Sequence, residues 1–263
     1  MIFNLVTQET TLTNSMRSKT WIVLPAYNAE ATLQETVSKI PSELRSRVIL
    51  VDDGSWDRTV EIAVGLNLVV LKHDSNKGYG ANQKTCYKEA LSRGAEVVVM
   101  LHPDAQYDPR VVGIMSDLIT LGNADMVIGN RIRNRRDAIE GGMPVWKYLI
   151  NRVSTLAENV ILGQSIGDFH SGLRAYSKAL LECIPFELNN NSFGFDQEFI
   201  IQASALKFRI GEVPVPTRYS VHSSSISLVN SLKYGVVGVR ALLKYLVYRS
   251  GMYTPRMFKT EML

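Results

Sequence analysis

The sequence predicts an α/β fold, a Rossmann-like, mostly parallel sheet flanked by helices on both faces. Three observations predict it. Short apolar, β-branched runs alternate with segments of helical period between Thr20 and Gly129. A cluster of unusual polar residues follows each of those runs. The composition is that of a globular chain: 263 residues, 46% hydrophobic and 21% charged, which suffices for one large domain with a buried core and excludes global disorder.

In chain order, Thr20 to Leu24 is an apolar run closed by Pro25 and reads as a buried strand. Leu33, Val37 and Ile40 recur at helical spacing until Pro41 stops them. Arg47 to Val51 is a second strand. Val60, Ile62, Ala63 and Leu66 mark a helix, and Asn67 to Leu71 a third strand. Tyr79 to Arg93 reads as helix, Glu96 to Leu101 as a fourth strand, Pro109 to Leu121 as helix and Asp125 to Gly129 as a fifth strand. Right-handed crossovers bring all the strand-terminal loops to one edge, where ligands bind in such sheets. That rim collects Pro25 to Asn28, Asp52 to Ser55, His73 to Gly80, His102 to Gln106, and Gly129 to Arg131. In the less regular second half, Trp146 to Leu162 and Gly194 to Leu206 are helices. Ile210 to Val215 is an edge strand that tolerates Pro214. Residues 1–19 read as a disordered tail, 20–227 as a single domain, and 228–263 as an amphipathic helix and tail.

The formal net charge of +4 and pI near 9.0 suit anionic small substrates or a membrane surface, and are too weak and scattered to argue for nucleic acid. Cys86 and Cys183 lack CxxC partners and read as packing residues of a cytoplasmic chain. Residues 1–14 lack the charge and apolar core of a secretory signal. The best spanning candidate, Leu228 to Arg249, is interrupted by Lys233, Arg240 and Lys244, so no transmembrane helix is expected. A homo-oligomer is compatible with the sequence.

The rim residues carry the chemistry. Asp52 and Asp53 end a buried strand, where an unpaired charge is costly. Asp53 or Ser55 can cap the next helix while Asp52 accepts hydrogen bonds from a base or ribose; Asp-Gly-Ser is also plain turn chemistry. Asn76 to Asn82 holds two glycines that permit close backbone approach to a ligand, with Lys77 able to meet a phosphate or simply to be solvated. The dinucleotide fingerprint fails because Gln83 stands at its third glycine. His102, Asp104 and Gln106 alternate after the fourth strand, and alternation in an extended segment directs them to one side, toward one ion. Imidazole there favours Mn²⁺ or Zn²⁺ over Mg²⁺; a local Asx turn is the plainer alternative. Arg131, directly at a strand end, can bind phosphate bidentately, unlike the solvated Arg133, Arg135 and Arg136.

Pro25-Ala26-Tyr27-Asn28, Val51-Asp52-Asp53-Gly54-Ser55, Asn76-Lys77-Gly78-Tyr79-Gly80 and Gly129-Asn130-Arg131 together resemble family 2 glycosyltransferases. The nearest branch is the dolichol-phosphate mannosyltransferase-like, or polyprenyl-phosphate glycosyltransferase, group. The resemblance runs from Trp21 to Ser227 and implies a GT-A fold, a nucleoside-diphosphate-sugar donor and Mg²⁺ or Mn²⁺. It assigns Pro25, Tyr27 and Asp52 to the nucleoside, with Asn28, Asp53, Lys77 and Gly78 in the same donor-binding set. Asp104 and Gln106 go to the metal and diphosphate, and Arg131 to the donor phosphates. Two departures stand out. The family commonly has Asp-x-Asp where this chain has His102-Pro103-Asp104, and an acid after the Asn where this chain has Ala29 followed by Glu30.

On the acceptor side, Asp196 and Glu198 are candidate bases, of which only one can face a site from a helix. Asp168 to Arg174 resembles the family's Asp-x-x-Ser-Gly element, which makes Ser171 and Arg174 candidates for an acceptor phosphate, the alternative for Arg174 being a salt bridge to Asp168. Ser225 lies in a hydroxyl-rich segment where lipid-phosphate enzymes often carry a basic loop. The expectation is an inverting transferase acting on a polyprenyl phosphate at the cytoplasmic membrane face, with Asp104, Arg131 and Asp196 as its central residues. Transfer to a saccharide hydroxyl, non-catalytic nucleotide-sugar binding and, least of all, oxidoreduction are the competing readings.

Overall fold

The computed structural model describes residues 17, 19–132, 134–217 and 228–260, with only the backbone of 228–234. Arg133, Ser225 and nearly all of the expected tail lie outside the described residues, as does the side chain of Lys233.

The β-branched runs pair into one seven-stranded sheet: β1 (Thr20–Ala26), β2 (Val48–Asp52), β3 (Val69–Lys72), β4 (Val97–Met100), β5 (Met126–Asn130), β6 (Arg174–Ser177) and β7 (Ile210–Pro214), in the order β3-β2-β1-β4-β6-β5-β7. β1 is central, in parallel register with β2 through Leu24 and Leu50 and with β4 through Ile22 and Val99. Its side chains alternate. Ile22 and Leu24 enter the core beneath α1 (Leu33–Lys39), α2 (Thr59–Gly65) and α4 (Val112–Thr120). Val23 enters the core beneath α3 (Tyr79–Ser92), α8 (Phe195–Ala205) and α9 (Leu228–Arg249). The remaining helices are α5 (Arg135–Glu140), α6 (Val145–Leu162), which Gly163 closes at φ 67°, and α7 (Lys178–Cys183).

The expected strands and long helices form within a few residues of their predicted bounds. The added element is β6, which inserts antiparallel between β4 and β5. It is four residues long and begins with an arginine, so neither length nor hydrophobicity marks it as a strand. β7 sits at the sheet edge with Pro214, as expected.

Gly78 and Gly80 allow close packing against the 190–191 backbone. Gly78 adopts φ 100°, and a Cβ there would stand 2.6 Å from the Asn191 carbonyl oxygen; one on Gly80 would overlap the Asn190 carbonyl oxygen. The first amides of α3 are already used, since Gly80 and Ala81 donate to the Asn191 carbonyl at 2.8 and 3.2 Å. Buried Lys84 clamps the same loop, donating to the carbonyls of Glu187 (3.0 Å) and Asn189 (2.5 Å) and to Asn191 Oδ1 (2.7 Å). That loop delivers the start of α8.

Gly80→Ala should therefore destabilise the chain by about 1–3 kcal/mol, the usual cost of overpacking against fixed backbone. Chemical denaturation checks it, and a midpoint equal to wild type would contradict the packing role.

Candidate active site

A cleft of about 810 Å³ opens along the carboxyl ends of the parallel strands. Pro25, Tyr27, Asn28, Asp53, Gly78, His102, Asp104, Gln106, Arg131 and Asp196 all line it, so ten of the predicted site residues meet in one place.

The two adjacent aspartates divide the work differently from expectation. Asp52 is fully buried and does not reach the cleft; its carboxylate accepts the Ser55 amide at 3.1 and 3.3 Å, a local turn. Asp53 lines the cleft and organises it. Its Oδ1 accepts from His73 Nδ1 at 2.7 Å and from the Lys77 amide at 2.9 Å, and its Oδ2 from the Gly78 amide at 2.9 Å. Neither Asp53 nor Ser55 caps α2: Ser55 Oγ accepts the Asn28 amide at 2.8 Å, and no side chain caps that helix from its N-cap position. Lys77 is exposed and does not line the cleft, so only its backbone takes part. Glu30 holds Arg58 at 2.8 Å on the outer rim.

His102, Asp104 and Gln106 do not share an extended segment. Ala105 takes φ 55°, bending the chain, and Asp104 Oδ1 accepts the Gln106 amide at 3.0 Å. His102 turns to Tyr79, its ring stacked at 5.3 Å and its Nε2 3.0 Å from the Tyr79 hydroxyl. That hydroxyl donates to Asp196 Oδ2 at 2.6 Å, which leaves His102 Nε2–H as the donor to Tyr79. Burial lowers the His102 pKa against the opposing pull of Asp104 and Asp196, so the ring is neutral at pH 7. With Nε2–H donating to Tyr79, the lone pair of the neutral His102 ring lies on Nδ1. Among the described residues no three His, Cys, Asp or Glu side chains form a metal cage. The donors present, the Asp104 carboxylate and the Gln106 amide, fit a hard cation that takes its other oxygens from a bound phosphate and water.

Asp196 also accepts from Gln83 Nε2 at 3.1 Å. Glu198 points elsewhere, accepting the Asn190 amide at 2.6 Å, so one acid of the pair faces the cleft, as helix geometry requires. Asp196 is not the N-cap of α8; Gly194 is.

Arg131 and Arg174 depart from their expected roles. Asp168, fully buried, takes the Arg131 fork, Nε to Oδ2 at 2.7 Å and Nη2 to Oδ1 at 3.0 Å. Burial would raise the Asp168 carboxyl, but the Arg131 charge and fork hold it well below the usual carboxylate range. The bidentate geometry expected for a donor phosphate is thus spent inside the protein, although the Arg131 cation still lines the cleft. Arg174, with no exposure, donates to the carbonyls of Ser171 (2.9 Å), Asp196 (2.8 Å) and Phe169 (3.0 Å). It tethers the 169–171 loop to α8. Ser171 is equally buried, so neither residue meets an acceptor from where it stands.

Residues that the sequence reading passed over complete the wall. α6 lends Trp146, Lys147, Ile150, Asn151 and Glu158, the loop before β6 lends His170, and α9 lends Val239 and Leu242. The available signal was a polar stripe, Asn151, Thr155 and Glu158, at helical spacing in an apolar segment. Glu158 accepts from Gln197 Nε2, and its Oε2 lies 3.4 Å from His170 Nε2. Burial pushes Glu158 up to about 8 and His170 down to about 4, so the two meet as neutral groups at pH 7.

The sequence profile described as glycosyl transferase family 2 matches residues 21–185. The chain belongs to that family. It is 29% identical over 220 residues to the UDP-N-acetylglucosamine–dolichyl-phosphate N-acetylglucosaminyltransferase of Methanococcus voltae, an alignment covering 77% of this chain and 87% of that protein. It is 26% identical to the polyprenol monophosphomannose synthase of Mycolicibacterium smegmatis, covering 75% and 76%. These relatives bear out the resemblance to the polyprenyl-phosphate branch, and the chain is a glycosyltransferase. Among solved structures it is similar to glucosyl-3-phosphoglycerate synthase of Mycobacterium tuberculosis in complex with Mn²⁺, UDP and glucosyl-3-phosphoglycerate. The TM-score is 0.64 at 19% identity, over 91% of this chain and 83% of that one. That likeness shows the GT-A fold.

The glycosyltransferase should show one distinctive pH effect. Unfolded, Glu158 releases its proton near the ordinary value of 4.5; folded, it keeps it to about 8. Folding therefore takes up a proton in that window, and this contribution to stability is lost as pH rises through it. Glu158→Gln cannot ionise. Its melting temperature relative to wild type should climb between about pH 5 and pH 8, and a constant difference across that range would contradict the buried-acid assignment.

Proposed function

We propose that this glycosyltransferase moves one sugar, with inversion, from a nucleoside diphosphate sugar to a polyprenyl phosphate at the cytoplasmic face of a membrane. The observation that carries the reading is the two-sided cleft. Its strand-end rim is polar, through Asp53, Asp104, Gln106 and Arg131, whereas α6 and α9 line it with Trp146, Ile150, Val239 and Leu242. A charged donor suits the first wall and an isoprenoid chain the second. The printed name of the Methanococcus voltae relative pairs a UDP-sugar with a dolichyl phosphate, which supports the same combination. Because α9 supplies part of that wall, we assign 228–260 to the same functional unit as 20–217.

A phosphate oxygen of the acceptor is already ionised and needs no base. It forms a bond to the anomeric carbon from the side opposite the diphosphate, and the carbon–diphosphate bond breaks with its electron pair leaving on the diphosphate oxygen. Pro25, Tyr27 and Asn28 frame the nucleoside, with Asp53 fixing the loop beneath it. Asp104 and Gln106 would hold Mg²⁺ or Mn²⁺, which supplies charge neutralisation at the departing diphosphate. Arg131, oriented by Asp168, and Lys147 add positive charge to the cleft. A saccharide hydroxyl is the second reading, favoured by Asp196, whose carboxylate lines the cleft and can take a proton.

Incubation with UDP- and GDP-sugars, Mn²⁺ or Mg²⁺, and a short-chain polyprenyl phosphate should yield a sugar-phosphate lipid. Asp104→Ala should lower turnover by about 10²-fold or more, the scale of losing one group that stabilises developing charge. Turnover with saccharides only, abolished by Asp196→Asn, would overturn the lipid reading in favour of the second.

A further inference from the structure

A phosphate acceptor needs no base, so Asp196 takes no proton in that reaction, yet much of the interior is arranged to hold it at the cleft. Its carbonyl accepts from Arg174 at 2.8 Å, its Oδ1 from Gln83 Nε2 at 3.1 Å and its Oδ2 from the Tyr79 hydroxyl at 2.6 Å. These supports are themselves supported. Tyr87 donates to Gln83 Oε1, which turns the amide so that its Nε2 meets Asp196. His102 Nε2 donates to the Tyr79 oxygen at 3.0 Å, and the Phe193 ring packs 4.9 Å from the Tyr79 ring. Gly172 leaves the room that His102 needs, since a Cβ there would stand 2.9 Å from its Nε2.

The direction of each link follows from one end. A carboxylate only accepts, so Tyr79 donates to Asp196; the Tyr79 oxygen is then an acceptor, and His102 must donate to it. Burial, followed by the Asp196 charge, raises the pKa of the Tyr79 hydroxyl well above its ordinary value, which keeps that proton in place. Among the described residues each Asp196 oxygen takes one side-chain hydrogen bond and retains a second lone pair, on a side chain that lines the cleft. A fixed carboxylate with lone pairs to spare is a strong acceptor for a hydroxyl. The sugar is the part of a donor that reaches it. Asp104, beside which the diphosphate would lie, stands two residues from His102, and two hydrogen bonds lead from His102 to Asp196. Charge narrows the sugar class further. Asp53, Asp104 and Asp196 already line the cleft, and a uronic acid would bring another carboxylate against them.

We infer that Asp196 accepts a hydrogen bond from a hydroxyl of an uncharged donor sugar, and that Tyr79 and His102 are positioning residues that hold its carboxylate for that contact. The inference rests on the nucleoside-diphosphate-sugar half of the functional reading above and is independent of the acceptor.

Calorimetric titration of the full chain in Mn²⁺, without acceptor, tests it. The probes are UDP, UDP-glucose, the UDP-deoxyglucoses and UDP-glucuronic acid, with GDP, GDP-mannose and its analogues in their place where guanine binds better. Asp196→Asn should weaken the sugar nucleotide by about tenfold and leave the free diphosphate unchanged, which also shows that the variant folds. One deoxy analogue should bind wild type more weakly by a similar factor and lose nothing further in Asp196→Asn, which identifies the hydroxyl. Tyr79→Phe and His102→Phe should weaken the sugar nucleotide in the same way by a smaller factor. His102→Gln, whose Nε2 donor stands in for that of the ring, should restore it. The uronic acid should bind wild type more weakly than the neutral sugar. Equal affinity of wild type and Asp196→Asn for every sugar nucleotide would overturn the inference, as would equal losses for the free diphosphate and the sugar nucleotide, which a merely structural role produces. Donor binding unchanged in Asp196→Asn with turnover abolished would also overturn it, since the carboxylate would then be a proton acceptor. Coupling of Asp196 to a sugar hydroxyl without transfer to any lipid phosphate would support the inference while sinking the acceptor half of the functional reading.

Discussion

Asp168 is a carboxylate with no exposure, and removing such a group from water costs several kcal/mol unless partners replace the solvent. Its partners come from three directions: the Arg131 fork from the end of β5, Asn151 Nδ2 from α6 at 2.9 Å, and the His170 amide from its own loop at 3.1 Å. The loop's backbone is fixed in turn by β7, where the Glu212 carboxylate accepts the amides of Gly167 and Asp168. One buried charge thus dictates where a strand end, a helix and a loop must stand. It also sets the rotation of α6. To present Asn151 to Asp168, the helix must turn its polar stripe inward, and its apolar residues are left facing out. The oddest surface of the molecule follows from a constraint in its interior.

A second set of polar ties fixes the opposite wall. Asp53 captures the backbone of Lys77 and Gly78, those residues lead into α3, and α3 seats Lys84 and the glycine pair against residues 187–191. Arg174 then holds the first turn of α8 through the Asp196 carbonyl. Asp196 reaches the cleft because its backbone is held by a buried arginine and its carboxylate by Tyr79 and Gln83. Lys84 and Arg174 do not line the cleft, so they position and do not react. Each tie is also costly to leave half made, since a buried carbonyl or carboxylate that loses its donor carries the full desolvation penalty.

The parallel half of the sheet was legible because its information is local. Val48 to Asp52 or Val97 to Met100 declare themselves by branching and burial, and crossover geometry then places their loops together. Asp104, Gln106 and Asp53 followed from that placement. What was not legible is pairwise. Adjacent Asp52 and Asp53 differ only in which side of the chain end each faces, a property of the turn and not of residue type. Arg131 and Arg174 offer identical chemistry, and only the tertiary fold assigns one to Asp168 and the other to three carbonyls. The spacing of His102, Asp104 and Gln106 misled because Ala105 leaves the extended region, and alternation holds only where the chain is a strand. The role of α6 was hidden for the opposite reason. Its helical period was visible, but the general rule that apolar faces turn inward would place the wrong side in the core.

Charge at the cleft bears on how a diphosphate is held there. Among the described residues three carboxylates line it, Asp53, Asp104 and Asp196, against two cations, Arg131 and Lys147, while Glu158, His102 and His170 are neutral at pH 7. Arg131 is already paired with Asp168, and burial followed by the Arg131 charge lowers the pKa of Lys147. The described lining has no surplus of positive charge to offer a nucleoside diphosphate, and at short range in a partly dehydrated cleft the repulsion from three carboxylates is substantial. Asp53 is offset by His73 and two amides, and Asp196 by Tyr79 and Gln83. Asp104 sits at the strand-end bend with Gln106 beside it. A divalent cation held by Asp104 and Gln106 would offset part of that repulsion. The charge of the lining therefore supports a metal-dependent donor site even though His102 stands where the family commonly has an aspartate, because one carboxylate suffices when the diphosphate supplies the other oxygens.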